Sequence, residues 1–197
     1  MSKHIWIVIA ALFMQGCGYH FKSSCTIPSV NVQIVKNDEQ GKFTNQLIRE
    51  IGEDGNITYD PSSSQFILAA EITSLDNQNI GYRRDRDGDG TLRKNVRATE
   101  GREKMCVKVQ ILDAHTKQCV YGPVTIEEDV DYDFVDDDSI DDLSFINSQG
   151  NRQTVLSFSL GQLESKACAQ AAALTPLYRK IARRIVKTMV HEWIQNP

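Results

Sequence analysis

Two alternating runs on either side of one Gly- and Asp-rich turn limit this chain more than any other feature. Gln65 to Leu75, QFILAAEITSL, is rich in β-branched and apolar residues and reads as a long strand. Met105 to Leu112 carries Val107, Val109 and Ile111 on one face and Lys108 and Gln110 on the other, the period of two of a half-buried strand. Between them, Asp85-Arg86-Asp87-Gly88-Asp89-Gly90 is a strong turn signal. The reading is an extended hairpin in which Gln65 to about Arg84 returns as Leu92 to Asp113.

The flanking segments supply the other layer. Val30, Val32 and Ile34 alternate with Asn31 and Gln33 as in a strand, and Ile57-Thr58-Tyr59 fits a second short one. Phe43, Leu47, Ile48 and Ile51 fit a helix over about 42–53, with Gly52 and Gly55 near its end. A further strand, Cys119 to Ile126, follows a turn at Ala114 to Lys117. Leu160 to Ile194 reads as a long amphipathic helix. Leu160, Leu163, Ala167, Ala171 and Leu174 run along one face, followed by Leu177, Ile181, Ile185 and Met189 or Trp193. Pro176 lacks the amide a helix interior needs, which predicts a kink or a restart there. The order predicts an α+β two-layer sandwich, with two helices packed on one face of a mostly antiparallel (mixed) four-stranded sheet.

The start of the chain is of another kind. An apolar run, Ile5 to Met14, follows Lys3 and His4 and ends at Gly16 directly before Cys17. It is too short for a helix crossing a ~30 Å hydrocarbon core, so it reads as the core of a secretory signal, residues 1–16. Met14-Gln15-Gly16-Cys17 has the form of a bacterial lipobox, in which cleavage leaves a lipid-modified Cys17 as the first residue. The alternative is an ordinary cleaved signal with Cys17 near the cut by chance. Acyl chains contribute ~0.8 kcal/mol per buried methylene, so several together hold a protein on a membrane surface. Gly18, where Asp would favour the inner membrane, leans towards the outer one. Residues 17–28 are then a Ser-rich tether, and 29–197 a single α+β domain of sufficient size for a real core.

The formal net charge of −4 argues against a general nucleic-acid binder. Its distribution is uneven. Residues 127–142 carry ten carboxylates and no Lys or Arg, which reads as a solvated loop that repels itself. Arg83, Arg84, Arg86, Arg93, Lys94 and Arg97 crowd the hairpin tip with only Asp85, Asp87 and Asp89 among them. A turn near Gly88 would set Arg83 opposite Arg93, a like-charge pair that an anion would relieve. The bland reading is a solvated tip. Asp85-x-Asp87-x-Asp89-Gly90 also has the start of a calcium loop, but Val96 stands where the bidentate Glu is required, so no metal is predicted.

Beyond Cys17, Cys25, Cys106, Cys119 and Cys168 allow three disulfide connectivities. The hairpin register puts Leu112 opposite Cys119, leaving Cys106 roughly 20 Å away and out of disulfide reach. A link from Cys25 to Cys168, or to another chain, is the remaining expectation. The histidines His20, His115 and His191 are scattered, and neither a nucleophile elbow nor a phosphate loop is present, so no enzyme and no cofactor is expected.

The chain resembles the LptE family, the lipopolysaccharide-assembly lipoproteins of the outer membrane. The residues that carry the likeness are Cys17-Gly18-Tyr19-His20-Phe21, the Val30 to Val35 strand with the Thr44 to Ile51 helix, the central hairpin, and Leu177-Tyr178-Arg179-Lys180-Ile181-Ala182 in the closing helix. The resemblance implies a lipid-anchored protein on the periplasmic face of the outer membrane. It would plug and help assemble the lipopolysaccharide translocon β-barrel (LptD-like) and bind lipopolysaccharide. Arg83, Arg84, Arg86, Arg93, Lys94 and Arg97 are the candidate ligand contacts, since planar Arg forks suit lipid A phosphates. The alternative function is a lipoprotein pilot or scaffold for another outer-membrane complex, with no lipid ligand.

Overall fold

A computed structural model of the chain describes residues 27–85, 87, 91–136, 144–154 and 164–194. In chain order these form β1 (Ser29–Val32), α1 (Lys42–Asp54), β2 (Thr58–Tyr59), β3 (Phe66–Arg83), β4 (Arg97–Asp113), β5 (Cys119–Asp133), β6 (Ser144–Ile146), β7 (Arg152–Thr154) and α2 (Lys166–Thr188). One π-helical turn, Met189–Ile194, follows. The main sheet runs β2-β1-β3-β4-β5, parallel where β1 meets β2 and β3 and antiparallel from β3 onward. It has five strands where the sequence predicts four. β6 and β7 make a separate hairpin.

Alternation along β4 fixes the layers. Gly101, Glu103, Met105, Val107, Val109 and Ile111 are buried, and the residues between them are not. The same face of the sheet takes Leu68, Ala70 and Ile72 from β3 and Ile126 from β5. The apolar stripes of both helices complete this core. α1 supplies Phe43, Leu47 and Ile51, and α2 supplies Leu177, Ile181, Ala182, Ile185 and Val186. Burying side chains of this size contributes ~1.5–3 kcal/mol each, so this α+β sandwich is held mainly by its middle layer.

Local chemistry sets the helix ends. α1 starts after Gly41 and stops at Gly55, both in the left-handed region that glycine occupies without strain (φ 65° and 75°). Asp38 serves its first turn, accepting from the Thr44 amide at 2.7 Å and from the Thr44 hydroxyl at 2.8 Å. α2 is capped by Ser165, whose Oγ accepts from the Cys168 amide.

Four expectations change. α2 neither restarts nor breaks at Pro176, so the phase set by Leu177, Ile181 and Ile185 projects back in steps of four to Ala173 and Ala169. Ala167 and Ala171, expected to face the core, are exposed, while Leu160 and Leu163 lie outside the described residues. The acidic run is not a loop over Glu127 to Asp133, which are strand residues of β5 paired one by one with Glu100 to Cys106, and residues 137–142 lie outside the described residues. Arg83 stands opposite Arg97, not Arg93, because two extra residues on the β4 side follow the loop bond from the Arg93 amide to the Asp85 carbonyl.

The Leu112–Cys119 register is as expected, and Cys106, Cys119 and Cys168 are all free thiols. Cys25 lies outside the described residues. Cys168 belongs to the end of the sheet marked by Glu103, which Gln170 touches, whereas β1 begins at the end marked by Phe66 and Asp113. These ends are ten residues of β4 apart, roughly 33 Å, which four residues from Ser29 back to Cys25 do not span. The Cys25–Cys168 link is therefore incompatible with this fold within one chain.

Candidate functional site: the cationic hairpin tip

β3 is 18 residues long, roughly 60 Å, and its far end reaches the turn that holds the arginine cluster. The centre of the tip is a carboxylate. Asp85 is 1% exposed, and its Oδ2 accepts from the Asn95 side-chain amide at 2.6 Å, while its own amide donates to Asn95 Oδ1 at 3.2 Å. Arg83 and Arg97 approach this carboxylate from the two strands, Arg83 Nη2 to Oδ1 at 3.9 Å and Arg97 Nε to Oδ2 at 3.7 Å. Arg97 also donates from Nη1 to Asp136 at 3.3 Å. The like-charge pair inferred from sequence exists, with a different partner, and the chain's own Asp85 supplies its counter-charge.

The remaining cations divide. Arg93 donates to Asp87 at 2.8 Å. Arg84 and Lys94 are exposed and make no ion pair among the described residues. Arg86 lies outside those residues, as does Cys17. Arg83 Nε is buried without a hydrogen-bond partner, the only side-chain nitrogen or oxygen in that state among the described residues. Tyr82, Leu92 and Val96 are exposed beside the cations, at 60%, 54% and 63%. The tip thus offers guanidinium and ammonium donors next to apolar surface, an arrangement that suits an anion attached to an apolar body. Among the described residues no group of three or more His, Cys, Asp or Glu could hold a metal ion.

Below the tip, the acidic half of β5 is matched charge for charge. On the uncovered face of the sheet Lys104 meets Glu127 at 2.6 Å, and Arg102 reaches both Asp129 at 3.1 Å and Asp131 at 2.6 Å. On the helix side, Lys180 at 3.0 Å and Arg184 of α2 close on Glu128. The side-chain bond from Arg102 holds the Asp131 carboxyl below its ordinary value, and that from Lys104 does the same for Glu127. For Glu128 burial opposes charge, but the bonds from Arg184 and Lys180 outweigh it and the net direction is also down.

Asp85 and Asn95 are the residues that sequence reasoning missed. Asp85 counted only as a counter-charge or calcium ligand, although a carboxylate set between arginines two residues before and twelve after was the available signal. Tyr82, Leu92 and Val96 gave no signal, because isolated apolar residues near a turn are common.

The family model described as LptE, Lipopolysaccharide-assembly, matches residues 27–189. Among solved structures, rare lipoprotein B from Shewanella oneidensis is similar at 15% identity, covering 85% of this chain and 97% of its own, with a TM-score of 0.47. A minor lipoprotein from Acinetobacter baumannii matches at 11% identity, 82% and 90% coverage and a TM-score of 0.45. A protein of Caulobacter crescentus proposed to be a lipoprotein matches at 14%, 85% and 92%, with a TM-score of 0.49. Among curated proteins, none matches this chain.

Proposed function

The chain belongs to the LptE family of lipopolysaccharide-assembly proteins, and from that premise we propose that it is a non-enzymatic lipoprotein, anchored through Cys17 to the periplasmic face of the outer membrane, that seats within the lipopolysaccharide translocon β-barrel and binds lipopolysaccharide at the β3–β4 tip. Its role in lipopolysaccharide assembly follows from the family. No helix among the described residues is long and apolar enough to cross a membrane. The lipobox-like Met14-Gln15-Gly16-Cys17 supports attachment by acyl chains, with residues 17–28 as tether.

The observation that carries the ligand site is the contrast within the arginine cluster. Arg83 and Arg97 converge on Asp85, and Arg93 on Asp87. Among the described residues Arg84 and Lys94 have no carboxylate partner, and they stand beside exposed Tyr82 and Val96. In this reading Arg84 and Lys94 meet the lipid A phosphates first, Arg83, Arg93 and Arg97 shape the base beneath them, and Arg86 is a further candidate contact from sequence alone. Charge-assisted hydrogen bonds to phosphate are worth ~1.5–3 kcal/mol each. Arg84→Glu with Lys94→Glu should therefore weaken lipopolysaccharide binding by at least about tenfold in a detergent titration, with circular dichroism unchanged. Equal affinity in the folded double variant would remove the tip as the ligand site.

A further inference from the structure

The two halves of α2 are held by different forces. From Leu177 to Met189 the helix buries Leu177, Ile181, Ala182, Ile185, Val186 and Met189 in the main core. From Lys166 to Thr175 it buries only Ala169 and Ala173. Beneath that first half lies a polar layer. Glu103, 2% exposed, accepts from the side-chain amides of Asn77 at 2.7 Å and Gln170 at 3.2 Å, and the Tyr132 hydroxyl bonds the same Asn77 nitrogen. Lys166 donates to Asn79 at 2.8 Å and stands 5.3 Å from the centre of the Phe134 ring. The junction of the two halves is Pro176, which has no amide to donate to the carbonyl of Ala172. Polar contacts that water can replace are weak restraints, whereas large buried aliphatic side chains are strong ones.

We infer that α2 is a two-part element, in which Leu177–Met189 is fixed to the core and Ser165–Thr175 is a strap that releases as a unit about Pro176. Release draws only half-buried Leu174 and the small Ala169 and Ala173 away from their packing, while every fully buried large side chain of α2 stays in place. It uncovers the Glu103 layer and widens the groove of about 370 Å³ that Leu75, Ala171, Leu174 and Tyr178 line, where Leu75 is already 45% exposed. The strap thereby lets the middle of the long hairpin present a buried carboxylate and an apolar floor without unfolding the sandwich. Local opening of this kind follows low apolar burial and a gap in the backbone ladder, and both coincide here.

Native-state hydrogen exchange on the full chain in mild detergent reads this directly. Amides of residues 170–175 should exchange at least about 100-fold faster than those of 181–188. Pro176→Ala restores the missing bond and should slow the first group at least about tenfold while leaving the second unchanged. Gln170→Ala should speed the first group alone. Equal protection of both groups would overturn the strap, and fast exchange untouched by Pro176→Ala would overturn its hinge.

Discussion

Arg102 and Asp131 lock together across β4 and β5, Nε to Oδ1 at 2.6 Å and Nη2 to Oδ2 at 2.9 Å. This bidentate pair shows how a run of carboxylates comes to lie in a sheet. Each acidic side chain from Glu127 to Asp131 has a cation within reach, three on the uncovered face and one under α2. Self-repulsion, which favours a loop, is thereby cancelled by partners more than twenty residues away.

Acid should therefore loosen β5 first. The folded forms of Glu127, Glu128 and Asp131 hold their carboxyls below the ordinary values, so the unfolded chain binds protons more readily. The stability they contribute is present above the ordinary carboxylate range and is lost as pH falls through the depressed folded values. Thermal melts should be steady from pH 7 to about 5 and decline below about 4.5. Arg102→Ala with Lys104→Ala should flatten that decline, and a decline of unchanged size would remove these pairs as its cause.

Gly101 should not accept a side chain. A Cβ there would lie 2.5 Å from Tyr132 Cζ, and the Tyr132 ring is held by Asn77 and by Phe134, 6.0 Å away between ring centres. Gly101→Ala is expected to cost about 1–3 kcal/mol in urea unfolding. Adding Tyr132→Leu should recover part of that loss.

The two halves of α2 differ in what they contribute to global stability. Leu177 is fully buried against the sheet, so Leu177→Ala should cost about 2–5 kcal/mol by denaturant unfolding. Exposed Ala171, six residues earlier, should tolerate Ser within about 0.5 kcal/mol.

Asp85 holds the tip together. Asp85→Asn keeps the bond to Asn95 but leaves Arg83 and Arg97 opposed without the carboxylate between them. Both arginine side chains are about one-third exposed, which tempers the effect, and a loss of roughly 1–2 kcal/mol is expected. Limited proteolysis should show faster cutting within 84–96 in the variant, and unchanged cutting would deny Asp85 this role.

Much of this was legible from periodicity. The Val107-Val109-Ile111 face, the α1 face of Phe43, Leu47 and Ile51, and the Leu112–Cys119 register all follow from spacings of two and four. Long-range pairing was not legible. Which cation meets Asp131 depends on register shifts between Val109 and Leu112, and that Arg97 rather than Arg93 meets Arg83 depends on two extra residues on the β4 side of the tip; composition marks neither. The restart allowed for at Pro176 does not occur, since packing of Leu177 to Ile185 carries the helix through a residue that is unfavourable in a helix interior. At the tip the arginine cluster was visible from sequence, but which of its cations meet Asp85 or Asp87, and which have no carboxylate among the described residues, was not.

Recovery of partners decides the central claim. The full-length protein would be drawn from its native envelope in mild detergent and its companions identified by mass. The account predicts a stoichiometric lipopolysaccharide translocon barrel, lost when Cys17→Ser removes the anchor or when the envelope is stripped of that barrel. Recovery of a different envelope complex, with no barrel present, would contradict it and favour a scaffold role.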